Sequence, residues 1–267
     1  MKISFQKYQG TANDFIMIDG RTHIPSFLVE NPSLVQGLCH RRTGIGADGL
    51  IVLTYESETN LPKMIYYNSD GRLGSMCGNG GRAFVQFAKD LGMVTDQHFK
   101  FMASDGEHIA TIEKNNDIAL KMNDVAHWQI DTLGNYVLNT GSPHYVIFHD
   151  DDIHQLNVAQ EGKKIRYNDI YKQEGINVNF VKIEKNDSLY VRTYERGVED
   201  ETYSCGTGVT ASALSCYLKS EGKSGNSLDI STLGGGLKVR FDLIDHKFTN
   251  IWLVGPAAKS FEGVVEV

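Results

Sequence analysis

Two cysteines that open glycine-rich turns are the residues of this chain best suited to chemistry. Cys77 begins the run Cys-Gly-Asn-Gly and Cys205 begins Cys-Gly-Thr-Gly, and a helical pattern follows each turn. A cysteine acts as a base only as the thiolate, which the unpaired N–H groups of a helix N-terminus stabilise. The glycines let a ligand approach the backbone, so that the N–H groups can bind a carboxylate. Each turn therefore predicts an acidic thiol beside an anion-binding pocket.

The elements around the two turns repeat along the chain. The cysteines are 128 positions apart. Before each turn, a strand pattern (residues 64–67 and 188–194) leads into a polar loop. Earlier in each half, Asn13 and Pro143 each begin a strand pattern, and a glycine pair or a lone glycine precedes the next strand. An ordered series of this kind indicates an internal duplication.

The duplication predicts an α+β fold of two pseudo-symmetric domains, each a mostly antiparallel sheet around a central helix. The active site is expected in the cleft between them. The first domain is predicted to span residues 1–121, joined by a returning C-terminal strand at about 257–267, and the second to span 122–256. A single glycine-rich turn would be no more than a turn, but two in matching positions favour a paired site.

Two thiols that flank one carbon suit a specific reaction, the inversion of a centre next to a carboxylate. One thiolate removes the α-proton, and the other thiol delivers a proton to the opposite face. Backbone N–H groups stabilise the charge that builds on the carboxylate, and exclusion of water strengthens that effect. Since the two thiols share one proton, their titrations are coupled.

Two other motifs are interpreted as structural. The run from Gly44 to Gly49 matches G-x-G-x-x-G, but a strand pattern follows it where a dinucleotide site needs a helix. His144, His149 and His154 are spaced by five beside an acidic run, which places them on no common face. We therefore predict no nucleotide cofactor and no metal. The acidic group at 199–201 is interpreted as surface charge, except that Glu201 could cap the following turn.

Composition narrows the class of protein. The chain has 267 residues, 41% hydrophobic and 22% charged, with a net charge of −7, which is typical of a globular enzyme and argues against nucleic-acid binding. No apolar run approaches the ~20 residues of a membrane span, and the N-terminus lacks the apolar core of a signal peptide. We expect a cytoplasmic protein with reduced cysteines, among which Cys39 and Cys216 are structural.

The motifs together resemble the diaminopimelate epimerase family across most of the chain. In family order they are Asn13-Asp14-Phe15, Gly44-Ile45-Gly46-Ala47-Asp48-Gly49, Asn68-x-Asp70-Gly71, Met76-Cys77-Gly78-Asn79-Gly80, Pro143-His144, Gly175-x-Asn177, Tyr194-Glu195-Arg196-Gly197 and Glu201-Thr202-x-x-Cys205-Gly206-Thr207-Gly208. The resemblance implies interconversion of LL- and meso-diaminopimelate without cofactor or metal, in lysine and peptidoglycan synthesis. It also implies a homodimer.

The resemblance also implies a role for each site residue. In the LL-to-meso direction Cys77 is the proton donor and Cys205 the acceptor, and His144 and Glu195 assist the thiols as catalytic residues. The implied substrate-binding residues are Asn13, Asn68, Gly78, Asn79, Asn177, Glu195, Arg196, Gly206 and Thr207. An arginine at position 196 can bind a carboxylate with two parallel hydrogen bonds.

Three departures from the family pattern concern substrate recognition. Ser142 stands where many relatives carry a substrate-binding asparagine, Gly49 stands where some carry glutamine, and the loop from Glu195 to Cys205 is longer than in many relatives. The nearest alternative is a proline or hydroxyproline racemase, which typically has histidine where this chain has Asn79. The remaining alternatives are a thiol hydrolase that uses Cys77 with His144, and a small-anion-binding protein without activity.

Overall fold

The structure is a computed structural model that describes residues 2–22, 31–94, 96–184 and 188–267. The strands of the described residues are β1 Lys2–Gly10, β2 Asn13–Asp19, β3 Gly49–Tyr55, β4 Pro62–Asn68, β5 His98–Ala103, β6 Gly106–Ile112, β7 Ile118–Lys121, β8 Trp128–Ile130, β9 Tyr136–Asn139, β10 Pro143–His149, β11 Asn177–Ile183, β12 Leu189–Glu195, β13 Asp200–Thr202, β14 Ser227–Thr232, β15 Gly235–Ile244, β16 Lys247–Gly255 and β17 Ala258–Glu266. The helices are α1 Pro32–Cys39, α2 Gly78–Asp90, α3 Val158–Arg166 and α4 Gly206–Lys219.

The chain forms two compact units, Met1–Leu120 with Gly255–Val267, and Lys121–Val254. The C-terminal strand β17 belongs to the first unit, where it pairs antiparallel with β1. In that unit the chain then pairs β1 with β2, β2 with β3, β3 with β4, β4 with β5 and β5 with β6. The pairs β2–β3 and β4–β5 are parallel, and the others are antiparallel.

The second unit repeats this order of pairing. There β9 pairs with β10, β10 with β11, β11 with β12, β12 with β14 and β14 with β15, and the pairs β10–β11 and β12–β14 are parallel. A parallel pair needs a crossover connection, and α1 and α3 lie in the connections of β2–β3 and β10–β11. The repeat inferred from the sequence is therefore confirmed at the level of strand order, and antiparallel pairs predominate as predicted.

Each sheet surrounds one helix. Helix α2 packs against β1, β2, β3 and β17, and α4 packs against strands β9 to β12, β14 and β15. Both helices are buried on most sides, unlike the amphipathic helices of a protein surface. Two buried polar side chains of α4 are satisfied locally, because Thr210 and Ser212 donate to the carbonyls of Gly206 and Gly208 at 2.9 and 2.8 Å. Small residues in α4 allow the strands to approach closely.

Candidate active site

Each cysteine turn lies directly before a central helix. Cys77 is the N-cap residue of α2 and Cys205 is the N-cap residue of α4, and both have extended backbones with φ near −108° and −116°. The Cys77 sulfur accepts a hydrogen bond from the Gly80 N–H at 3.5 Å. The Cys205 sulfur lies instead 3.4 Å from the Thr207 hydroxyl. Both thiols therefore occupy the electropositive end of a helix, as the sequence predicted, but their immediate partners differ.

The neighbours of Cys77 orient a hydrogen-bond acceptor toward it. The Cys77 thiol lies 3.7 Å from Asn13 Oδ1, and Asn79 Nδ2 donates to the same oxygen at 3.3 Å. Asn13 Nδ2 donates to the Asp48 carboxylate at 2.7 Å. Because a carboxylate accepts only from the amide nitrogen, this bond fixes the Asn13 oxygen on the side of the thiol. The structure thus brings Asn13, Cys77, Gly78 and Asn79 together.

Strand register places the remaining predicted residue of the first unit at the same sheet edge. Strand β2 begins at Asn13, Gly49 begins the parallel strand beside it, and Gly49 pairs with Asn68 at the end of β4. The Asn68 side chain is exposed. Gly49 has no room for a side chain, since an added Cβ would lie 2.6 Å from the Tyr67 carbonyl. A glutamine at position 49 would thus require this edge to rearrange.

His144 is fully buried and its hydrogen bonds assign one neutral tautomer. Asn179 Oδ1 accepts from the Thr193 hydroxyl at 3.0 Å, so its Nδ2 faces His144 Nδ1, also at 3.0 Å. Nδ1 must accept, and the ring proton therefore sits on Nε2. Burial and, to a smaller extent, the positive charge of Arg196 lower the pKa of His144 to about 3, against the hydrogen bond from Asn179. The imidazole is neutral at physiological pH.

A chain of donors runs from His144 to Cys205. His144 Nε2 lies 2.9 Å from the Thr207 hydroxyl and 3.0 Å from the Ser142 hydroxyl, which in turn lies 3.2 Å from Thr207. Asn177 Nδ2 donates to Ser142 at 3.1 Å. With donors on its other sides, the Thr207 hydroxyl directs its own hydrogen to the Cys205 sulfur. Such a bond stabilises a thiolate.

Glu195, Arg196 and Asn177 meet at the carboxyl end of β12. Asn177 Oδ1 accepts the Arg196 N–H at 2.9 Å, and Glu195 Oε2 accepts from the Thr202 hydroxyl at 2.9 Å. The Arg196 side chain is exposed and donates to the Glu174 carbonyl at 2.9 Å. Because β10 and β11 run parallel with His144 beside Asn177, the histidine lies at this same edge. The structure thus brings together the predicted site residues of the second unit.

Comparisons with known proteins decide the family. The family described as diaminopimelate epimerase matches this chain twice, at residues 5–128 and 136–259. The diaminopimelate epimerase of Flavobacterium psychrophilum is 51% identical, with 97% of this chain and 98% of the relative covered. The chain belongs to the diaminopimelate epimerase family. The Chlorobaculum tepidum enzyme of that name is 40% identical, covering 96% of this chain and 98% of the relative.

A solved structure shows that the fold extends beyond close relatives of the diaminopimelate epimerase family. The PhzF-family phenazine biosynthesis protein of Bacillus anthracis superposes with a TM-score of 0.75 over 100% of both chains at 13% identity. At that identity the likeness concerns the fold alone. The double match of the epimerase family to this one chain supports the pseudo-symmetric architecture that the strand order shows.

The acidic group at 199–201 was interpreted wrongly from the sequence for two of its members. Glu201 forms a two-bonded ion pair with Arg192, each N–O distance being 2.6 Å, and both side chains are largely buried. It does not cap the following turn. Glu199 accepts from the Tyr194 hydroxyl at 3.1 Å and pairs with Arg166 at 3.3 Å. Glu199 and Glu201 thus hold the loop between Glu195 and Cys205 against neighbouring elements, and of residues 199–201 only Asp200 is exposed.

Four residues that touch the predicted site escaped sequence reasoning. Asp48 orients Asn13, and Asn179 orients His144. Thr11 and Arg82 bond Asn79 from the buried side. Asp48 lies in the glycine run from Gly44 to Gly49, and strand β3 follows that run as predicted. Arg82 is separated from the cysteine turn by Gly81 alone, so its place beside that turn is the signal that could have identified it.

The remaining sequence expectations concern cysteines, metals and membranes. Cys39 and Cys216 are buried, and burial raises the pKa of Cys39 to about 12. Among the described residues, no group of three or more His, Cys, Asp or Glu side chains could hold a metal ion. His154 packs against the Tyr190 ring with centroids 4.3 Å apart. In the part of the chain that the structure describes, no helix is long and apolar enough to cross a membrane.

Proposed function

We propose that this protein is a diaminopimelate epimerase that interconverts the LL and meso forms by a two-base mechanism without a cofactor. In the LL-to-meso direction Cys205 accepts the α-proton and Cys77 delivers one to the opposite face. The observation that carries the proposal is the repetition of a cysteine at the N-cap of a buried central helix in each unit. Family membership supports diaminopimelate as the substrate.

Cys205 is suited to be the base because the Thr207 hydroxyl lies within hydrogen-bond distance of its sulfur. The Thr207 hydroxyl, supplied with hydrogen bonds by His144 and Ser142, points its hydrogen to the sulfur. A neutral His144 fits this role, since its Nε2–H is present at any pH where the protein works. We call the series His144, Ser142 and Thr207 the relay. We assign His144 the function of keeping the Thr207 hydroxyl pointed at the Cys205 sulfur, and we assign Glu195 a supporting role in proton transfer at the same site.

Cys77 is suited to be the acid. Asn13 Oδ1 accepts from its thiol and holds the proton in place, while the Gly80 N–H donates to the sulfur and stabilises the thiolate that remains after transfer. A proton moves from the Cys77 sulfur to the carbanion as another moves from the α-carbon to Cys205, so the protein ends with its thiol and thiolate exchanged. Before the next turnover in the same direction, Cys205 releases its proton to solvent and Cys77 takes one up, and the two thiols titrate as a coupled pair.

The carboxylate at the reacting centre is assigned to the helix N-termini. The N–H groups of Gly78, Asn79, Gly206 and Thr207 belong to the first turns of α2 and α4, the end of a helix that binds anions. They stabilise the charge that spreads into the carboxylate when the α-proton leaves. For the distal amino-acid group we propose Asn68, Asn177 and Arg196, of which Asn68 and Arg196 are exposed and so available to a ligand.

Ser142 adopts part of the role of the asparagine found in many relatives. It bonds His144, Thr207 and Asn177 within the second unit. A hydroxyl donates one hydrogen where an amide donates two, and here the geometry directs that hydrogen into the relay. We propose that Ser142 strengthens the relay to Cys205 and contacts substrate less than an asparagine would.

The alternatives are weaker. A proline or hydroxyproline racemase is disfavoured by Asn79, whose side chain is bonded to Asn13 and Arg82 and lies within the motif of the diaminopimelate family. A thiol hydrolase with Cys77 and His144 is disfavoured because both ring nitrogens of His144 are engaged within the second unit by Asn179, Ser142 and Thr207.

The cellular setting follows from the proposed reaction. We propose that the enzyme serves lysine and peptidoglycan synthesis in the cytoplasm, as a homodimer whose two epimerase domains correspond to residues 1–121 with 257–267, and 122–256. Sedimentation velocity of the purified protein tests the dimer, since a single species near the 29.7 kDa of one chain would contradict it.

Deuterium exchange tests the central proposal. Incubating the protein with LL-diaminopimelate in D₂O, with no metal or cofactor added, is expected to form the meso isomer with deuterium at the inverted α-carbon. Proton NMR follows the loss of the α-proton signal, and chiral chromatography follows the isomers. The metal-depleted and as-purified proteins should behave alike.

Matched variants sharpen the outcome. Cys77→Ala and Cys205→Ala are each expected to lose net epimerisation, whereas Cys39→Ala retains it because Cys39 is a buried residue of α1 with no part in the proposed proton transfer. Exchange into proline rather than diaminopimelate would replace the proposal with the racemase alternative. Full epimerisation by either catalytic variant would rule out the two-base mechanism.

A further inference from the structure

Arg82 is a fully buried arginine one turn into the helix that Cys77 caps. Its Nη2 donates to Asn79 Oδ1 and to the Thr11 hydroxyl, both at 3.0 Å, and its Nη1 donates to the Gly78 carbonyl at 3.3 Å. All these acceptors are neutral. Its Nε has no hydrogen-bond partner among the described residues, and no carboxylate of those residues lies within ion-pair distance.

This arrangement is costly for a purely structural residue. Burying a guanidinium away from water carries a large desolvation penalty, which proteins ordinarily offset with a carboxylate. The second unit shows that the structural task needs no charge. There the equivalent position, five residues after the cysteine, is Thr210, which makes the matching bond to the Gly206 carbonyl. An uncompensated buried cation beside a reactive thiol points to a functional use.

We infer that Arg82 is a positioning residue whose buried charge stabilises the thiolate form of Cys77. The inference deepens the proposed function, in which Cys77 becomes a thiolate each time it delivers a proton. A cation held in a medium of low dielectric stabilises that thiolate more than it would in water. Arg82 also fixes Asn79, whose Nδ2 then donates to Asn13 beside the thiol.

The charged groups that act on Arg82 support this assignment. They are the Cys77 thiolate and the Asp117 carboxylate, both of which raise the pKa of Arg82, while burial lowers that pKa to about 10. The guanidinium is therefore charged at neutral pH. Asp117 is held by Asn115 at 2.8 Å and makes no direct bond to Arg82. The Arg82–Asn79–Asn13 network ends at two groups, the Cys77 sulfur and the Asp48 carboxylate, and of these the sulfur is the one that reacts.

Alkylation against pH measures the effect at each thiol separately. In the Cys205→Ala protein, iodoacetamide labelling of the Cys77 peptide is followed by mass spectrometry from pH 5 to 10, and the midpoint reports the thiol pKa whatever its exposure. Arg82→Met is expected to raise the midpoint by at least about one unit, which is a tenfold loss of thiolate at a fixed lower pH. Arg82→Lys, which keeps the charge, should restore most of the shift.

The matched control uses the second unit. In the Cys77→Ala protein, Thr210→Val removes the equivalent neutral side chain and should leave the Cys205 midpoint within about 0.3 unit. Arg82→Met in that background should also leave Cys205 unchanged. An unchanged Cys77 midpoint in folded Arg82→Met would overturn the inference. A Cys77 midpoint that is raised equally in Arg82→Met and in Arg82→Lys would overturn it too, because the charge would then not be the cause.

Two further points keep the test decisive. If Arg82→Met does not fold, the midpoint of Cys77 in the Cys205→Ala protein decides alone, since a value at or above the ~8.5 of a free cysteine contradicts the inference. No diaminopimelate is present in these experiments. Shifted midpoints in a protein that fails to exchange diaminopimelate would therefore refute the proposed function while supporting the role of Arg82.

Discussion

The Thr207 hydroxyl is the group through which the second unit acts on Cys205. Its oxygen receives hydrogen bonds from His144 and Ser142, and its hydrogen faces the sulfur at 3.4 Å. Thr207→Val keeps the shape and removes this donor. Since a hydrogen bond to a charged group contributes ~1.5–3 kcal/mol, kcat/KM for LL-diaminopimelate should fall about ten- to hundredfold.

The control for this variant is Thr207→Ser, which retains the hydroxyl and should keep activity within about threefold of the parent. The pH profile of kcat/KM provides an independent measure. Loss of the donor destabilises the Cys205 thiolate, so the limb of the profile on which kcat/KM rises with pH should move to higher pH. A valine variant as active as the serine variant would mean that the relay does not reach the sulfur.

His144 makes the free energy of unfolding depend on pH. Its pKa is lowered from 6.5 to about 3 in the folded protein by burial and by Arg196. Between these values the unfolded chain binds a proton that the folded protein excludes, so the free energy of unfolding falls as pH drops through this window. Urea denaturation at pH 7 and 4.5 should show a loss of a few kcal/mol at most from this group.

His144→Gln removes the titrating ring and so separates its effect from that of the carboxylates. The variant starts less stable at pH 7, yet its free energy of unfolding should fall less steeply between pH 6.5 and 4.5 than that of the parent. Equal pH dependence in the parent and the variant would show that folding does not change the protonation of His144.

At the scale of elements, the first turn of α4 is fixed by its contact with β11. An added Cβ at Gly208 would lie 2.4 Å from Asn179 Oδ1. That oxygen cannot move freely, because Asn179 is fully buried and bonded to Thr193 and His144. Gly208→Ala should therefore destabilise the protein by more than ~1 kcal/mol and lower activity by disturbing the relay.

Gly37 in α1 offers the opposite case within a helix. Nothing lies within 4 Å of a Cβ built there, and alanine is a better helix former than glycine by ~0.5–1 kcal/mol. Gly37→Ala should raise Tm slightly and leave epimerisation unchanged, as thermal denaturation followed by circular dichroism can measure. If both variants shifted Tm in the same direction, packing at Gly208 would not be the cause.

At the scale of the whole molecule, the two-base proposal requires that both thiols reach one α-carbon from opposite faces. Thiols that approach so closely can be oxidised to a disulfide. Mild oxidation should abolish activity, dithiothreitol should restore it, and peptide mapping should find Cys77 joined to Cys205. Alkylation with meso-diaminopimelate present should be slower at both cysteines. Activity that persists after both thiols are lost would contradict the proposal.

The sequence alone determined the repeated parts of this protein. The two cysteine turns, the strands before them and the helices after them are local patterns, so Cys77 and Cys205 could be singled out without a structure. The motifs also identified the family. Local signals suffice here because the position of a thiol at a helix N-terminus depends on the few residues that form the turn.

Only the tertiary structure decided how each thiol is tuned. Four features depend on contacts that the fold makes between different segments of the chain. They are the orientation of Asn13 by Asp48, the tautomer of His144 set by Asn179, the burial of Arg82 and the pairing of Glu201 with Arg192. Hydrogen-bond direction and desolvation depend on which side chains the fold brings together, and spacing along the chain does not encode them. The same Cys-Gly-x-Gly turn thus has an acceptor and a buried cation beside it in one unit, and a chain of donors in the other.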